Sequence, residues 1–424
     1  MARTLTPVEG CAIVQAMLEE LSGQKQNITK IDSSSFASAG EQVLSYGTEN
    51  VTNALALVLG RTYMAVRPYS SKFKLINSIN TGVYTHRLRK ISFYSRPDKA
   101  TGWFNTDQLT NLAPGFTNGE NESSGTAQST KSMWEQNPAQ PLELNFAGTT
   151  TWQDSQTLYE DQLKEAFRSA EDFAAFATGF MTEKANDIEQ QKEGFRRLAL
   201  IQHMGAVYDM SANMPGSVVN LTYEFNQEFG TSYTSAQLRS TYLKEFLAFM
   251  VQRIQIDSDR MTNRSVKNHW SPAKTVGSDS LVLLRHTPKD KQRLMLYNPL
   301  IVKSRAYVFP ELFNEQYLKI ENFEPVDFWQ NENVPSGIDV TPAIPNVSTP
   351  ANGQVKGSEV NLAYVVGMLF DEDALMLDYQ LDHAYSTPLE ARKGYRNIWY
   401  TFAKNIISDT TENAILYYMA DPSI

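Results

Sequence analysis

The longest periodic pattern in the chain runs from Gln156 to His203 and is typical of an amphipathic helix. Apolar side chains recur there at intervals of three and four residues, which places them on one face of a helix. They are Leu163, Phe167, Ala170, Phe173, Ala174, Ala177, Phe180, Met181, Ile188, Phe195 and Leu198. A helix of this length spans a whole domain, so other elements must pack along it. Gly179 and Gly194 weaken the pattern, and we expect a kink or break near either.

Weaker patterns predict three further helices. A capping box formed by Thr6 and Glu9 predicts a first short helix that ends at Gly23. A second helix is expected over residues 48–59. A second capping box at Thr234 predicts a helix that continues to about residue 254.

After Asp279 the pattern changes to short strand-like runs joined by turn residues. The predicted strands cover residues 281–284, 293–297, 363–370, 398–402 and 414–419. Residues 331–357 are rich in proline and glycine and predict a long loop, of the kind that usually makes contacts.

Residues 72–147 alternate between apolar and polar side chains around a polar stretch at 114–132, which predicts a long β-hairpin. Charge is segregated along this hairpin. Residues 61–100 carry nine Lys or Arg against one acid, whereas residues 101–160 carry seven Asp or Glu against Lys131. Two explanations stay open: the two strands pair within one chain, or the arm lies across a neighbouring copy, which the opposite charges would steer into register.

The composition excludes several classes of protein. The formal net charge is −9, whereas domains that grip nucleic acid phosphates are usually strongly basic. The single cysteine, Cys11, excludes an internal disulfide framework and is expected to be a small buried apolar residue. No apolar stretch reaches membrane-spanning length, and the N-terminus lacks a signal-peptide core. We therefore expect a protein folded inside a cell; if it sits near nucleic acid, it would enclose the nucleic acid rather than grip it.

No common catalytic motif occurs in the sequence. Walker-type phosphate loops, dinucleotide-binding glycine patterns and nucleophile elbows are all missing. Asp371, Asp373 and nearby Asp378 could bind a divalent cation, but we interpret Asp371 as the cap of a short helix. The histidines follow no metal-binding spacing and are interpreted as structural: His86, His203, His269, His286 and His383. We expect no catalytic residue, no cofactor and no metal.

Three segments carry a resemblance to a known family. They are Asn53-Ala-Leu-Ala-Leu-Val-Leu-Gly-Arg-Thr62 with Arg67-Pro-Tyr69, Phe146-Ala-Gly-Thr-Thr-Thr-Trp-Gln-Asp154 with Asp161-Gln-Leu163, and Arg396-Asn-Ile-Trp-Tyr400 with Glu412-Asn-Ala-Ile-Leu416. Together with the order of elements, they resemble the major capsid proteins of tailed double-stranded-DNA phages, in particular those of gut-associated phages. The resemblance extends over nearly the whole chain.

The resemblance implies an α+β fold of the Hong Kong 97 type in four consecutive parts. Residues 1–69 would form an N-terminal arm with helices, and residues 70–150 an extended β-hairpin loop. Residues 151–278 would form the peripheral domain with the long spine helix. Residues 279–424 would form mainly the axial domain, with the C-terminal strands returning to the periphery.

The function implied is that of a shell protein without enzymatic activity. Such a chain would self-assemble into hexamers and pentamers and form an icosahedral-type shell around phage genomic DNA. Its expected partners are further copies, a portal, scaffolding proteins and decoration proteins. It would bind no membrane, would assemble in the cytoplasm of the host bacterium and would remain in the virion capsid.

The charged hairpin supplies the candidate contacts between subunits. They are Arg87, Arg89, Lys90, Arg96, Trp103, Glu120, Glu122 and Trp134. Reversing Arg87, Arg89 and Lys90 to Glu is expected to leave the subunit folded but to impair particle formation.

Three alternatives remain open. An encapsulin-like shell protein shares the implied fold but encloses enzymes instead of DNA. A soluble enzyme with a carboxylate metal site at Asp371 and Asp373 belongs to a different class. A tail or scaffold protein would form open tubes instead of closed shells.

Overall fold

The structure of the chain is a computed structural model that divides into two compact units. The residues it describes are 7–22, 31, 35–45, 72–79, 87–95, 139–147, 150–159, 170–276, 279–307, 322–350, 353–388, 390 and 392–421. Unit 1 comprises residues 1–86, 147–201 and 375–408, and unit 2 comprises residues 87–146, 202–374 and 409–424. Each unit is therefore built from three segments that are far apart in the sequence.

The described residues form a mixed set of helices and strands. Helices α1 to α7 span, in order, Pro7–Ser22, Phe36–Ser45, Ala170–Asp209, Leu221–Phe229, Ser235–Leu238, Leu243–Met261 and Asn298–Tyr307. Strands β1 to β9 span Asn77–Ile79, Arg87–Phe93, Pro141–Ala147, Thr150–Tyr159, Val218–Asn220, Lys274–Val276, Asp279–Leu281, Gln292–Tyr297 and Phe323–Val326. Strands β10 to β17 span Ile338–Val340, Ala343–Pro345, Gln354–Lys356, Val360–Leu362, Val365–Asp371, Leu375–Ser386, Tyr395–Ser408 and Ala414–Tyr418.

Unit 1 contains a four-stranded sheet in the order β1-β15-β16-β4. The long antiparallel strands β15 and β16 are its centre, while β1 joins β15 in parallel and β4 joins β16 in antiparallel orientation. Ile188 of α3 packs against Ile398, Tyr400 and Phe402 on one face of this sheet. The alternation of side chains along β16 therefore buries its even-numbered residues from 396 to 402.

Unit 2 contains a five-stranded mixed sheet in the order β5-β17-β14-β8-β9. All seven residues of the central strand β14 are buried, as expected for a strand covered on both faces. Trp329 is fully buried, and its indole Nε1 donates a hydrogen bond to the carbonyl oxygen of Val365 at 2.9 Å. This bond fixes a loop residue to the start of the central strand.

The structure confirms the first helix and the capping box at Thr234, but it changes the predicted limits of the two longest helices. Residues 156–159 belong to β4 rather than to the long helix, because pairing with β16 fixes them as a strand. The described helix α3 begins at Ala170 and continues to Asp209 without a break at Gly179 or Gly194.

The helix that starts after Thr234 ends at Leu238, and α6 begins only at Leu243. Contacts of the intervening turn explain the break. Arg239 lies over the ring of Tyr364 at 4.3 Å, and Tyr242 stacks on Tyr233 with ring centroids 4.0 Å apart.

The prediction that Asp371 caps a helix is wrong. Asp371 is the last residue of β14, and residues 372–374 form the turn into β15. Its Oδ1 accepts a hydrogen bond from the backbone N–H of Asp373, which is a turn interaction rather than a helix cap. Strand β15 was not predicted, since its polar residues hide the strand pattern. The predicted helix at 48–59 lies outside the described residues.

Two glycines give a matched test of the packing in the fold. A Cβ at Gly367 in β14 would overlap the carbonyl oxygen of Met295 and the side chain of Leu296, whereas a Cβ at Gly194 in α3 would meet nothing within 4 Å. We expect Gly367→Ala to lower the free energy of unfolding by about 2–3 kcal/mol. Gly194→Ala should raise it by up to about 1 kcal/mol. Urea unfolding followed by circular dichroism measures both changes, and equal stabilities for the two variants would contradict the packing described for β14.

Candidate functional site

The predicted contact residues that the structure describes lie on β2, in unit 2. Strands β2 and β3 form a two-stranded sheet, and the backbone N–H of Tyr94 bonds to the carbonyl oxygen of Gln140 at 3.0 Å. Strand β2 contains Arg87, Arg89 and Lys90. The structure describes the side chains of Arg89 and Lys90 but not that of Arg87. The other candidates lie outside the described residues: Arg96, Trp103, Glu120, Glu122 and Trp134.

One face of β2 is exposed and combines apolar side chains with an ion pair. Ile91 is 50 % exposed and Phe93 is 60 % exposed. Beside them, Arg89 forms an ion pair with Glu143 of β3 at 2.8 Å. Alternation along the strand places Arg89, Ile91 and Phe93 on the same side, so they form a single exposed stripe.

The other face of β2 is tied to a group of charged residues inside unit 2. Lys90 contacts the carboxylates of both Asp409 and Glu412, which lie in the connection between β16 and β17. Arg285 contacts the same Glu412 at 3.2 Å. We call Lys90, Arg285, Asp409 and Glu412 the charged cluster. Its two cations and two anions balance, which lowers the cost of burying them.

Hydrogen bonds fix the charged cluster in place. The Arg285 guanidinium donates to the hydroxyl of Ser92 at 2.8 Å and to the carbonyl oxygen of Thr411 at 3.1 Å. The hydroxyl and the backbone N–H of Thr411 both donate to Asp409 Oδ1. Because each charged group has several partners, β2 is attached to the 409–413 connection at defined positions.

Burial and pairing have opposite effects on the acids of this cluster. Burial would raise the pKa of Asp409, but the Lys90 ammonium and the bonds from Thr411 outweigh it and hold the pKa below its usual range. Burial raises the pKa of Glu412, and its cationic neighbours compensate only in part. Burial lowers the pKa of Lys90, yet the two carboxylates more than reverse this effect. The lysine is therefore charged and Asp409 is its principal counter-ion.

These contacts change the interpretation of Lys90. Arg89 is exposed enough to reach another molecule, whereas Lys90 is engaged by acids of its own chain. We predicted that reversing Arg87, Arg89 and Lys90 to Glu leaves the subunit folded. For Lys90 this prediction is no longer supported, because a glutamate at this position would face two carboxylates. Whether the candidate residues contact a neighbouring subunit stays a prediction.

Asp371 takes part in a second buried polar group. Its Oδ2 accepts from the hydroxyl of Thr287 at 2.7 Å, and Asn413 donates to the same hydroxyl at 3.1 Å. The ring nitrogens of His269 lie 3.1 Å from Asn413 Oδ1 and 2.8 Å from the carbonyl oxygen of Leu283. Burial lowers the pKa of His269, and it lowers that of the fully buried His203 to about 4. Both residues belong to the packed interior, which agrees with their interpretation as structural.

The described part of the chain was compared with the requirements of a metal site and of a membrane-spanning helix. Within it, no group of three or more His, Cys, Asp and Glu side chains is placed to hold a metal ion. None of its helices is both long and apolar enough to cross a membrane.

The charged cluster gives a prediction that separates Lys90 from Arg89. Lys90→Met leaves Asp409 buried without its counter-ion, so we expect a loss of about 3–5 kcal/mol in the free energy of unfolding. Arg89→Met removes an exposed pair and should cost at most about 1 kcal/mol. Because a protonated Asp409 tolerates burial, the deficit of Lys90→Met should shrink as the pH falls towards the ordinary pKa of aspartate. Urea unfolding at several pH values measures this, and equal losses for the two variants would refute it.

Several solved capsid structures are similar to this chain at low sequence identity. The capsid of Staphylococcus phage Andhra gives a TM-score of 0.48 at 12 % identity, covering 83 % of this chain and 84 % of that chain. The capsid of cyanophage P-SCSP1u gives 0.41 at 11 % identity, covering 83 % and 89 %. The mature capsid of bacteriophage PhiM1 gives 0.41 at 8 % identity, covering 84 % and 89 %. No sequence among curated proteins matches the chain significantly.

Comparison of the sequence with models of protein families identifies the family of this chain. The family model described as Phi29-like phage major capsid protein matches residues 120–418, which is well over half of the chain. This segment includes β3 and both long strands of unit 1, and it also includes all five strands of the sheet in unit 2. The chain therefore belongs to the Phi29-like phage major capsid protein family.

Proposed function

We propose that this phage capsid component self-assembles into hexamers and pentamers, which together form an icosahedral-type shell around phage genomic DNA. The observation that carries this proposal is the exposed stripe of β2, at the base of the predicted arm. Ile91 and Phe93 expose apolar surface there beside the charged Arg89, a combination typical of a surface that another protein covers. A shell made of many copies supplies that cover.

The proposed fold is of the Hong Kong 97 type, with the four parts expected from the sequence. Residues 1–69 are the N-terminal arm, 70–150 the extended loop, 151–278 the peripheral domain, and 279–424 mainly the axial domain. The pairing of β2 with β3 supports the proposed loop, since these strands lie at its two ends. The long helix α3 supports the proposed spine of the peripheral domain.

The proposed role includes partners but no chemistry of its own. Contacts with a portal, with scaffolding proteins and with decoration proteins would complete the particle, and assembly would take place in the cytoplasm of the host bacterium. The net charge of −9 supports enclosure of DNA without sequence-specific binding, because an acidic wall does not hold phosphates tightly. A structural rather than enzymatic role fits a member of a capsid family. The encapsulin-like alternative is not favoured, since the matching family is one of phage capsids.

Particle formation is the direct test of this proposal. We expect the full chain, expressed with the genes adjacent to its own, to give closed shells of uniform size in negative-stain electron microscopy. Shells purified from an infection should protect double-stranded DNA from nuclease. Enzyme cargo instead of DNA would indicate an encapsulin-like protein, and open tubes would indicate a tail protein; either result contradicts the proposal.

A charge swap tests whether Arg89 contacts a neighbouring copy. We expect Arg89→Glu to lower the yield of particles while the subunit stays folded, since the change lies on an exposed strand face. The double variant Arg89→Glu, Glu143→Arg restores the pair within the chain, at 2.8 Å in the native protein. If Arg89 acts between subunits, the double variant still assembles poorly. Full recovery of particles by the double variant would show that the intrachain pair is the whole role of Arg89.

A further inference from the structure

Unit 1 exposes a sheet face on which none of the described side chains is charged. This face, which we call the uncharged face, is formed by alternate residues of three adjacent strands. Its members are Thr151, Gln153, Ser155, Thr157 and Tyr159 of β4, Tyr395, Asn397, Trp399 and Thr401 of β16, and Tyr385 of β15. All of them are exposed or half-buried. One residue in five of the whole chain is charged, so such a surface stands out.

The opposite face of the same sheet has the reverse character. It holds the buried cations Arg396 and Lys404, and Asp154, which pairs with the buried Lys184 of α3. The usual arrangement of a half-buried sheet places charges towards water and apolar groups inside. In this sheet Arg396 and Lys404 are covered by the chain itself and Asp154 is half-buried, while the described side chains on the water-facing side are hydroxyl, amide and aromatic groups.

The aromatic residues of the uncharged face lie in two cross-strand pairs. Tyr385 and Trp399 are directly opposite one another on β15 and β16, and they are 63 % and 40 % exposed. Tyr159 and Tyr395 are opposite one another on β4 and β16, with ring centroids 6.0 Å apart. Large, rigid aromatic side chains bury much area at little entropic cost, which is why they are enriched at the centres of interfaces.

Hydrogen bonds between strands hold the polar residues of this face. The hydroxyl of Thr157 donates to the side-chain oxygen of Asn397 at 2.7 Å, and the amide of Gln153 donates to the hydroxyl of Thr401 at 3.3 Å. These groups have partners already, so covering them leaves fewer unsatisfied donors and acceptors. The face is therefore prepared for burial at a lower cost than an ordinary polar surface.

The charge of the whole subunit indicates what covers this face. With a net charge of −9, two copies repel each other unless the surfaces that meet are neutral or complementary. The uncharged face contributes no repulsion, and depletion of charge together with aromatic enrichment is the composition found at interface cores. Charged residues border it at one end, at the connection of β15 to β16, where Glu390, Arg392 and Lys393 are exposed. This resembles the polar rim of a protein interface.

We infer that the uncharged face is buried against a second copy of this chain in the assembled particle, with Tyr385 and Trp399 as its anchors. This inference rests on the proposed function, and it names a contact surface separate from the charged residues predicted on the arm. The partner is another copy because the shell supplies copies in the greatest number and because the face is neutral towards an acidic chain.

Chemical footprinting of particles tests the inference directly. Hydroxyl-radical labelling, followed by mass spectrometry, reports the exposure of Tyr385 and Trp399 in unassembled subunits and in particles made from this chain alone. We expect their labelling to fall at least about fivefold on assembly, as for side chains that become interface core. Particles that form with unchanged labelling would overturn the inference and leave the proposed function intact. Protection that requires an added phage protein would also overturn it, since the cover would then be that protein. If closed particles form neither from this chain alone nor with the genes adjacent to its own, the proposed function itself fails.

Substitutions on the face provide a second, independent measurement. We expect Trp399→Lys and Tyr385→Lys each to lower the yield of particles at least about tenfold, because a buried lysine without a partner disrupts an interface. Trp399→Phe should assemble nearly as the native chain does. Val302→Lys is the matched control, since Val302 is 54 % exposed on α7 and lies outside the face. Circular dichroism checks that each variant is folded. Native yields for both lysine variants on the face would refute the inference.

Discussion

The buried attachment of β2 to the connection between β16 and β17 is the interaction on which unit 2 most depends. Lys90 and Asp409 are more than three hundred residues apart in sequence, yet their side chains meet in the interior. Two cations and two anions share one site, so no net charge is buried, and hydrogen bonds from Thr411 orient Asp409. The strand that begins the predicted arm is thereby fixed to the centre of the unit.

Elements with a strong local pattern could be predicted from the sequence, and elements determined by distant partners could not. The first helix and the capping box of Thr234 depend on neighbouring residues, and the structure confirms both. Strand β15 and the turn at Asp371 depend on pairing with β16 and on the hydroxyl of Thr287, which no local pattern reveals. The same limit applies to the charged cluster. Alternation along β2 predicts that Lys90 lies on the opposite side of the strand from Arg89. Nothing in the sequence predicts that Arg285, Asp409 and Glu412 lie close to Lys90.

Both units expose surfaces whose composition is more typical of protein interfaces than of surfaces that face water. In unit 2 the exposed side of β2 combines Ile91 and Phe93 with the Arg89–Glu143 ion pair, and in unit 1 the described side chains that one side of a long sheet exposes are all uncharged. The two surfaces differ in chemistry. Charged groups steer two molecules towards each other and fix the register of their contact. Aromatic and hydroxyl groups supply the contact area of the complex that forms. In a shell, modest contacts of both kinds are repeated many times, and their multivalency makes the assembly stronger than any single contact.

Unit 2 draws its central sheet from segments synthesised at very different times. Strand β17, at residues 414–418, lies between β5 and β14, so the sheet has a gap until these residues have been made. Asp409 and Glu412, which neutralise Lys90, are synthesised equally late. A chain released early from the ribosome therefore has neither a closed sheet nor a neutral interior in this unit. We therefore expect a subunit that lacks residues 409–418 not to reach the folded state that assembly requires.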